Sequence, residues 1–382
     1  MRGGNLRIGI DARAVCYPKT GDRSYTLGLI DGLARVREAD DLGHEFVLYF
    51  DRKPPDNLGC MREGRPKQGW QLRVLKTPIR RLWTLMCLPR AVRRDGLDVL
   101  HVQYNGPRIK RPALVTTVHD VSFRLFPQWF TLKDRFLLDL GLRSTLGVAK
   151  GVLAVSECTR TAINDAYDYP LQRITVTENA LPPGFSPPAE AEIDAVLQRQ
   201  DVTRPYLLFV GVLQPRKNLP RGIAAFSDAR SRASLPHRLV IVGKRGWREG
   251  ETERAIAAAG DDLQLLGYVP DADLPALYAG ADALLFPSLY EGFGIPVLEA
   301  FACGTPVITS DVSALPEVAG DAALLIDPED EGQIADAVLE LLGDASLRAE
   351  LVERGRRRLA RFDWAETARR TIEAYERAVQ DR

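Results

Sequence analysis

Short apolar runs alternate with helical patterns along almost the whole chain, and this alternation limits the fold to one class. Seven apolar runs of strand length lie before residue 185 and six lie after residue 200: 6–10, 46–50, 72–75, 99–102, 114–118, 152–155 and 174–176, then 206–210, 239–242, 263–266, 283–286, 307–309 and 323–326. Runs that are apolar throughout are typical of parallel strands covered on both faces by helices. We therefore predict an α/β protein built from doubly wound parallel sheets.

The length and one proline-rich segment predict two domains. The 382 residues exceed the roughly 250–300 that a single core usually supports. Residues 182–188 read Pro-Pro-Gly-Phe-Ser-Pro-Pro, a composition that continues neither a helix nor a central strand. We expect an N-terminal domain over 1–185 and a C-terminal domain over 200–362, with a ligand pocket between them.

Charge is balanced overall but uneven along the chain. There are 51 basic and 51 acidic residues, and residues 1–189 hold 29 of the basic but only 19 of the acidic ones. Two interpretations stand side by side. Either the basic half faces an anionic membrane or a phosphorylated acceptor, or the two oppositely charged domains attract each other. The basic residues are not interleaved with aromatic ones, so a nucleic-acid partner is not expected.

Location is predicted from what the sequence lacks. No apolar run approaches the ~18 residues of a membrane span, and the first strand begins near residue 6 without a signal-peptide core. Five scattered cysteines without CxxC spacing predict mostly buried, reduced thiols. We expect a cytoplasmic protein, peripheral at the inner membrane face if the basic, apolar segment 78–94 rests on lipid. The alternative is that this segment is a core-packed helix.

The decamer 291–300, Glu-Gly-Phe-Gly-Ile-Pro-Val-Leu-Glu-Ala, is the most informative motif. It follows the apolar run 283–286, and its glycines allow a tight bend beside a ligand. Pro296 suits the first turn of a helix, which places Glu299 in that turn as well. Two carboxylates at the carboxyl end of a strand suit a polyhydroxylated ligand. The alternative is a glycine-rich turn in which Glu299 merely complements the helix dipole.

Two further motifs follow strands. Arg216 and Lys217 come after the run 206–210, with Asn218 as the expected N-cap of the next helix. Cations beside a helix N-terminus are favourable if a phosphate binds there, and otherwise form a solvated basic loop. His119 ends the run 114–118; a lone histidine is more often structural than functional.

Together these motifs closely resemble retaining nucleotide-sugar glycosyltransferases of family 4, in the mannosyltransferase-like branch. The resemblance implies a GT-B fold, in which two Rossmann-like domains face a cleft and a C-terminal helix, here 364–382, packs back on the N-terminal domain. It also implies catalytic roles for His119, Arg216, Lys217 and Glu291, and no metal. The donor would further contact residues of both domains: Gly21, Lys244, Tyr268, Val269, Gly292, Phe293, Gly294, Ile295, Leu298 and Glu299.

In this resemblance, Arg216 and Lys217 hold the diphosphate, Glu291 the sugar hydroxyls and Glu299 the ribose, while His119 contacts the transferred sugar. The implied reaction moves a hexose, with mannose favoured, to a hydroxyl of a glycan, glycolipid or small molecule. GDP-mannose is the favoured donor and a UDP-sugar the alternative, with no other cofactor.

The motif 20–26, Thr-Gly-Asp-Arg-Ser-Tyr-Thr, is expected to form a loop before the first helix, in the place of the family's glycine-rich loop, but it departs from the family pattern. Asp22, Arg23 and Ser24 replace Ile, Gly and Arg of the branch's glycine-rich loop, so its second glycine is lost. This departure keeps a catalytically silent binding subunit open as an alternative. A nucleotide-sugar epimerase of the GT-B fold, which would bind a similar donor, is a second alternative.

Overall fold

The computed structural model describes residues 5–17, 21–77, 82–246 and 250–380, which form two compact units. One unit comprises Met1–Pro183 and Asp363–Arg382, and the other Gly184–Phe362. Each unit contains one large parallel sheet, of seven strands and of six. Every predicted strand forms, so the α/β class with two Rossmann-like domains is confirmed.

The first unit is built on a seven-stranded sheet of order β5-β2-β1-β6-β7-β8-β9. Its strands are nearly all buried because helices cover both faces. The hairpin of β3 and β4 was not predicted. The strands are β1 Arg7–Asp11, β2 Glu45–Phe50, β3 Met61–Arg62, β4 Arg65–Pro66, β5 Trp70–Val74, β6 Val99–Gln103, β7 Ala113–Val118, β8 Gly151–Ala154 and β9 Ile174–Val176; the helices are α1 Gly21–Ala39, α2 Leu88–Asp95, α3 Ser122–Leu125, α4 Leu132–Leu146 and α5 Glu157–Tyr167.

The second unit has a six-stranded sheet of order β12-β11-β10-β13-β14-β15. Its strands are β10 Tyr206–Val210, β11 Arg238–Val242, β12 Leu263–Gly267, β13 Ala283–Phe286, β14 Val307–Ser310 and β15 Leu324–Ile326. Its helices are α6 Glu190–Arg199, α7 Leu219–Ala233, α8 Gly250–Ala259, α9 Leu274–Ala279, α10 Ile295–Cys303, α11 Leu315–Ala319, α12 Glu331–Gly343 and α13 Ala345–Leu359, and the chain then continues into α14, Trp364–Gln380.

Strand order determines where each unit can bind a ligand. In the second unit the chain places β11 and β12 on one side of β10 and then crosses to the other side, where it places β13, β14 and β15. The neighbours β10 and β13 therefore form the switch point of the sheet. In the first unit β1 and β6 are the corresponding pair. Loops that leave the two strands of a switch point diverge, which opens a crevice at their carboxyl ends.

Helix α14 packs on α1 and belongs to the first unit. A Cβ atom added to Gly28 would lie 1.9 Å from Cε2 of Trp364, and one added to Gly32 would lie 2.1 Å from the Trp364 carbonyl oxygen. Trp364 also donates a hydrogen bond from Nε1 to the Leu181 carbonyl at 2.8 Å. The two glycines of α1 therefore allow a contact that no larger residue would permit.

One local prediction was wrong. Residues Gly21 to Thr26 were expected to form a loop but lie in the first turns of α1, and Thr20 lies outside the described residues. In the segment 78–94, residues 78–81 lie outside the described part, and Pro89 is the second residue of α2. The side chains of Trp83, Leu88 and Val92 are buried there, whereas those of Leu85 and Met86 are 75% and 40% exposed, so the segment has both a buried and an exposed apolar side.

The cysteines are all free, as predicted, but they are less buried than expected. Cys60 is buried, while the other four are partly exposed. None of the described helices combines the length and the apolar character needed to cross a bilayer.

Candidate active site

A cluster of three charges, two of them buried and that of Arg216 partly exposed, lies at the switch point of the second unit. Arg216 and Lys217 lie in a short 3-10 turn after β10, and Glu291 lies in the loop after β13. Nη1 of Arg216 is 2.6 Å from one Glu291 oxygen, and Nζ of Lys217 is 2.6 Å from the other. Lys217 Nζ also lies 4.4 Å from the ring centre of Phe286, at the end of β13. The structure therefore brings together three of the four residues predicted as catalytic.

The cluster carries one excess positive charge at neutral pH. Burial opposes ionisation of Glu291, but the charges of Arg216 and Lys217 outweigh it and lower the pKa of this carboxyl to about 2. Burial lowers the pKa of Lys217 to about 8, although the charge of Glu291 acts in the opposite direction. All three groups are then ionised at pH 7. Two cations against one carboxylate form a site that favours an added anion.

Backbone contacts hold the two loops of the cluster in register. The Leu289 N–H donates to the Arg216 carbonyl at 2.8 Å, and Arg216 Nη1 donates to the Tyr290 carbonyl at 3.2 Å. Ser313 accepts a hydrogen bond at Oγ from the Glu291 N–H at 3.0 Å. Glu291 is therefore held by a hydrogen bond at its backbone N–H as well as by the ion pairs of its carboxylate.

Asn218 occupies the N-cap position of α7, as predicted, but its side chain does not cap the helix. Its backbone is left-handed, with φ 57°, and its side chain makes no capping hydrogen bond. Instead Nδ2 donates to the carbonyls of Pro287, at 3.1 Å, and Pro328, at 2.7 Å. Asn218 therefore joins the loop after β10 to the loop after β13, which supports the charge cluster.

Glu299 is buried. It was predicted to lie in the first helical turn, and this was wrong. Helix α10 begins at Ile295, so Glu299 is its fifth residue, and only 2% of it is exposed. Its Oε2 accepts a hydrogen bond from the Tyr278 hydroxyl at 2.8 Å. Its negative charge also raises the pKa of Lys217, which links it electrostatically to the cluster. Complementing the helix dipole does not account for a carboxylate in this position.

The other predicted residues of the decamer shape the loop. Gly294 has φ 115°, which disfavours any residue with a side chain, and a Cβ there would lie 2.8 Å from Leu315. Phe293 and Leu298 are buried, Gly292 is buried too, and Ile295 opens α10. The N–H of Ile295, at the first helical position, has no carbonyl within the helix to bind, which suits an anionic or hydroxyl ligand.

The predicted nucleotide-side residues follow β11 and β12. Lys244 places Nζ 4.5 Å from the ring centre of Tyr268, which is 53% exposed, whereas Val269 is buried. The preceding Gly243 packs against the loop after β10, because a Cβ there would lie 1.7 Å from the Gly211 carbonyl oxygen. An exposed aromatic ring with a cation on its face is a surface on which a base can stack.

His119 and Gly21 lie in the first unit, near the carboxyl ends of its central strands. His119 follows β7, and its Nε2 lies 2.8 Å from Oε1 of Gln103, the last residue of β6. Gly21 begins α1, with open space around its Cα. Burial lowers the pKa of His119, so the ring is neutral at pH 7.

Several contacting residues escaped the sequence analysis. Gln103 and Ser313 lie against predicted site residues, and Tyr278 holds Glu299. Gln103 could have been found, because it ends a strand as His119 does. Tyr278 and Ser313 carry no such signal. Among the described residues, no group of three or more His, Cys, Asp or Glu side chains is placed to hold a metal ion.

Comparisons with known protein families agree with this architecture. A model described as "Glycosyl transferases group 1" matches residues 192–358, and one described as "Glycosyltransferase Family 4" matches residues 32–184. The chain is 33% identical to O-antigen chain mannosyltransferase B of Escherichia coli over 97% of its own length and 99% of that protein. It is also 31% identical to the O-antigen chain mannosyltransferase RfbU of Salmonella typhimurium over 65% of each chain.

Solved structures support the fold independently of sequence. Sucrose-phosphate synthase from Thermosynechococcus elongatus superposes with a TM-score of 0.72 at 19% identity, covering 97% of this chain and 98% of that one. Anabaena Alr3699/HepE, solved in complex with UDP and glucose, also gives 0.72 at 18% identity over 97% and 99% of the two chains. With two family models, a full-length relative and this fold, the chain belongs to glycosyltransferase family 4, in its mannosyltransferase-like branch, and has the GT-B fold.

Proposed function

We propose that this glycosyltransferase moves mannose from GDP-mannose to a hydroxyl of a glycan or glycolipid acceptor, with retention at the anomeric carbon and without a metal ion. The observation that carries the proposal is the cluster of Arg216, Lys217 and Glu291, which has one excess positive charge. A departing nucleoside diphosphate is the anion that such a site would stabilise, because negative charge accumulates on it as the glycosidic bond breaks.

Lys217 keeps donors available for that task. Its ammonium has three N–H donors, and one of them gives a short hydrogen bond to Glu291. The other two can point at phosphate oxygens without breaking the cluster. Two fixed cations can supply the neutralisation that Mg²⁺ provides in other phosphate sites, which is the basis for proposing metal independence.

Glu291 would have two functions in this reaction. It holds both cations in place, and the lone pairs it does not use can accept hydrogen bonds from sugar hydroxyls. Glu299 would bind the ribose, and the exposed ring of Tyr268 would stack on the base. His119, in the first unit, would contact a hydroxyl of the transferred sugar.

The relatives support the choice of sugar and leave the base open. Two of them have names that say O-antigen chain mannosyltransferase, which favours mannose and a glycan acceptor. Structural neighbours solved with UDP or UDP-glucose keep a UDP-sugar as the alternative donor. Transferase names also favour transfer over the epimerase and the silent subunit.

Binding and turnover can be measured separately. Calorimetric titration with GDP, UDP and their sugars should show one nucleotide class bound, and Glu299→Ala should weaken it. Anomeric proton NMR of the product made from that donor and an oligomannose acceptor should show an α-linkage, and excess EDTA should not slow its formation. Binding without transfer would favour the silent subunit, and an inverted anomeric centre or loss of activity with EDTA would refute the corresponding part of the proposal.

We also propose that the first unit rests on an anionic membrane through the outer face of α4. Leu132, Phe136 and Leu140 succeed one another at helical spacing and are 83%, 65% and 53% exposed. Exposed Lys133 lies on the same side of the helix, as does exposed Arg143, which is paired with Asp139 at 3.0 Å. Apolar side chains flanked by cations match the interface of a bilayer with anionic headgroups, and the basic excess of residues 1–189 adds long-range attraction.

Vesicle sedimentation tests this contact. The protein should bind vesicles of phosphatidylglycerol and phosphatidylethanolamine better than vesicles of phosphatidylcholine, and Phe136→Ser should reduce that binding severalfold. Leu325→Ser is the matched control, because Leu325 is an exposed leucine of the second unit. Equal binding to both lipids, or no loss on Phe136→Ser, would refute the α4 surface.

A further inference from the structure

A chain of hydrogen bonds leads from the first turns of α1 to the ring of His119. The Thr26 hydroxyl donates to the Asp22 carbonyl at 2.7 Å. The same hydroxyl oxygen lies 2.6 Å from Nε2 of Gln103, whose Oε1 lies 2.8 Å from Nε2 of His119. Thr26 is 1% exposed, so water does not compete at its hydroxyl. We call this chain the relay Asp22–Thr26–Gln103–His119. Only one assignment of donors and acceptors along it is consistent.

The direction follows from counting protons. A hydroxyl has one proton, and that of Thr26 is used on the Asp22 carbonyl, so towards Gln103 it can only accept. Gln103 must therefore present its amide N–H₂ to Thr26 and its carbonyl oxygen to His119. A carbonyl only accepts, so Nε2 of His119 must carry a proton. The Asp22 carboxylate, 3.7 Å from the same nitrogen, favours a proton there as well.

The other ring nitrogen is then an acceptor. Burial lowers the pKa of His119, so the neutral ring with Nε2–H leaves a lone pair on Nδ1. Nδ1 has no hydrogen-bond partner among the described residues and is not sealed from solvent. An edge contact with Tyr25, at 4.9 Å between ring centres, and a tilted contact with Tyr104, at 5.6 Å, restrict rotation of the ring.

We propose that Thr26 and Gln103 are positioning residues, which hold His119 in the Nε2–H tautomer so that Nδ1 accepts a hydrogen bond from a sugar hydroxyl. This rests on the proposed function for the identity of the ligand but not for the tautomer. A site that only accepts selects a substrate with a hydroxyl at that place and rejects its deoxy analogue, because the lone pair would otherwise stay unpaired.

The tautomer can be measured without substrate. In protein labelled with nitrogen-15 histidine, the His119 signals are those lost in His119→Asn, and they should show a proton on Nε2 and none on Nδ1 at pH 7. Thr26→Val frees the Gln103 amide to turn, and Gln103→Met removes it, so both should give a mixture of tautomers. Thr26→Ser keeps the hydroxyl and should restore the wild-type signals.

Tyr375→Phe is the matched control. It removes a buried hydroxyl 2.6 Å from Nδ1 of His101 and should change the signals of His101 only. A wild-type proton on Nδ1 of His119, or a Thr26→Val spectrum identical to wild type at His119, would overturn the relay.

Kinetics then test the role of the lone pair. For the donor that transfers, Thr26→Val and Gln103→Met should lower kcat/KM about tenfold, the value of one hydrogen bond of ~1.4 kcal/mol, and Thr26→Ser should not. With wild type, one deoxy analogue of the sugar should have a kcat/KM about tenfold lower than the sugar itself. With Gln103→Met, the kcat/KM values of the analogue and of the sugar should differ little. The predicted tautomer without any turnover would refute the transferase, whereas turnover with the opposite tautomer would refute the relay alone.

Discussion

Replacing Lys217 by methionine should separate binding from stability. The substitution keeps the unbranched stem and removes the charge. Burial lowers the pKa of Lys217 from 10.5 to about 8, so keeping this ammonium charged in the folded protein costs about 3 kcal/mol at neutral pH. Arg216 continues to neutralise Glu291 at 2.6 Å in the variant. We therefore expect Lys217→Met to be at least as stable as wild type at pH 7.

The pH dependence of that difference has a definite sign. Between pH 8 and 10.5 the unfolded chain keeps the Lys217 proton while the folded chain releases it, so wild-type stability rises with pH in this window relative to the variant. Below pH 8 the folded protein carries the full free-energy cost of keeping Lys217 charged. Urea unfolding of both proteins at several pH values from 7 to 10.5 measures the difference, and Lys53→Met, at a lysine that is 81% exposed, should leave the profile unchanged.

The affinity for the nucleoside diphosphate should fall in Lys217→Met, although its stability at pH 7 does not. A hydrogen bond to a charged group contributes about 1.5–3 kcal/mol, so the dissociation constant for the bound nucleoside diphosphate should rise about 10- to 150-fold in Lys217→Met. Calorimetric titration measures it. A variant that loses more than about 2 kcal/mol of stability at pH 7, yet binds the nucleotide as wild type does, would refute the assignment of this charge to ligand binding.

Three further substitutions or probes test other features. Gly28→Ala should lower stability by about 1–3 kcal/mol in thermal unfolding, because its Cβ would overlap the C-terminal helix, whereas Gly343→Ala, with open space around it, should change little. Glu299→Gln should weaken nucleotide binding about tenfold while circular dichroism stays unchanged, and an unaltered affinity would show that this carboxylate is structural. Burial raises the pKa of Cys60 to about 12, so at pH 8 this thiol should react with Ellman's reagent only after unfolding; fast labelling of Cys60 in the native protein, identified by peptide mass, would contradict this.

The strands and the location of the site could be predicted because both depend on local information. Uniformly apolar runs mark buried parallel strands, and polar residues directly after such runs lie at the carboxyl edge of the sheet. That reasoning placed Arg216 and Lys217 after one strand and Glu291 after another, and the family resemblance assigned all three to one site. The structure joins them at hydrogen-bond distance.

The failures concern helix starts and distant partners. A glycine-containing motif at Gly21 indicated a loop, yet the structure continues it as the first turns of α1. Asn218 has the composition of an N-cap, but its amide binds two carbonyls, one of them 110 residues away in the chain. The tautomer of His119 depends on Thr26, 93 positions before it. Contacts between residues so far apart in the chain arise from tertiary packing, and the spacing of residues in one sequence does not predict them.

The packing of α14 on α1 has a consequence for the order in which the protein is made. Residues 184–362, the whole second unit, leave the ribosome between the two pieces of the first unit. At roughly 5–20 residues per second, Trp364 is made about 17 to 66 s after the groove residues Gly28 and Gly32. The second unit can therefore finish folding before the first, which reverses the usual order. Chains that end at residue 363 and have been released from the ribosome should then resist protease in the second unit and be cut in the first.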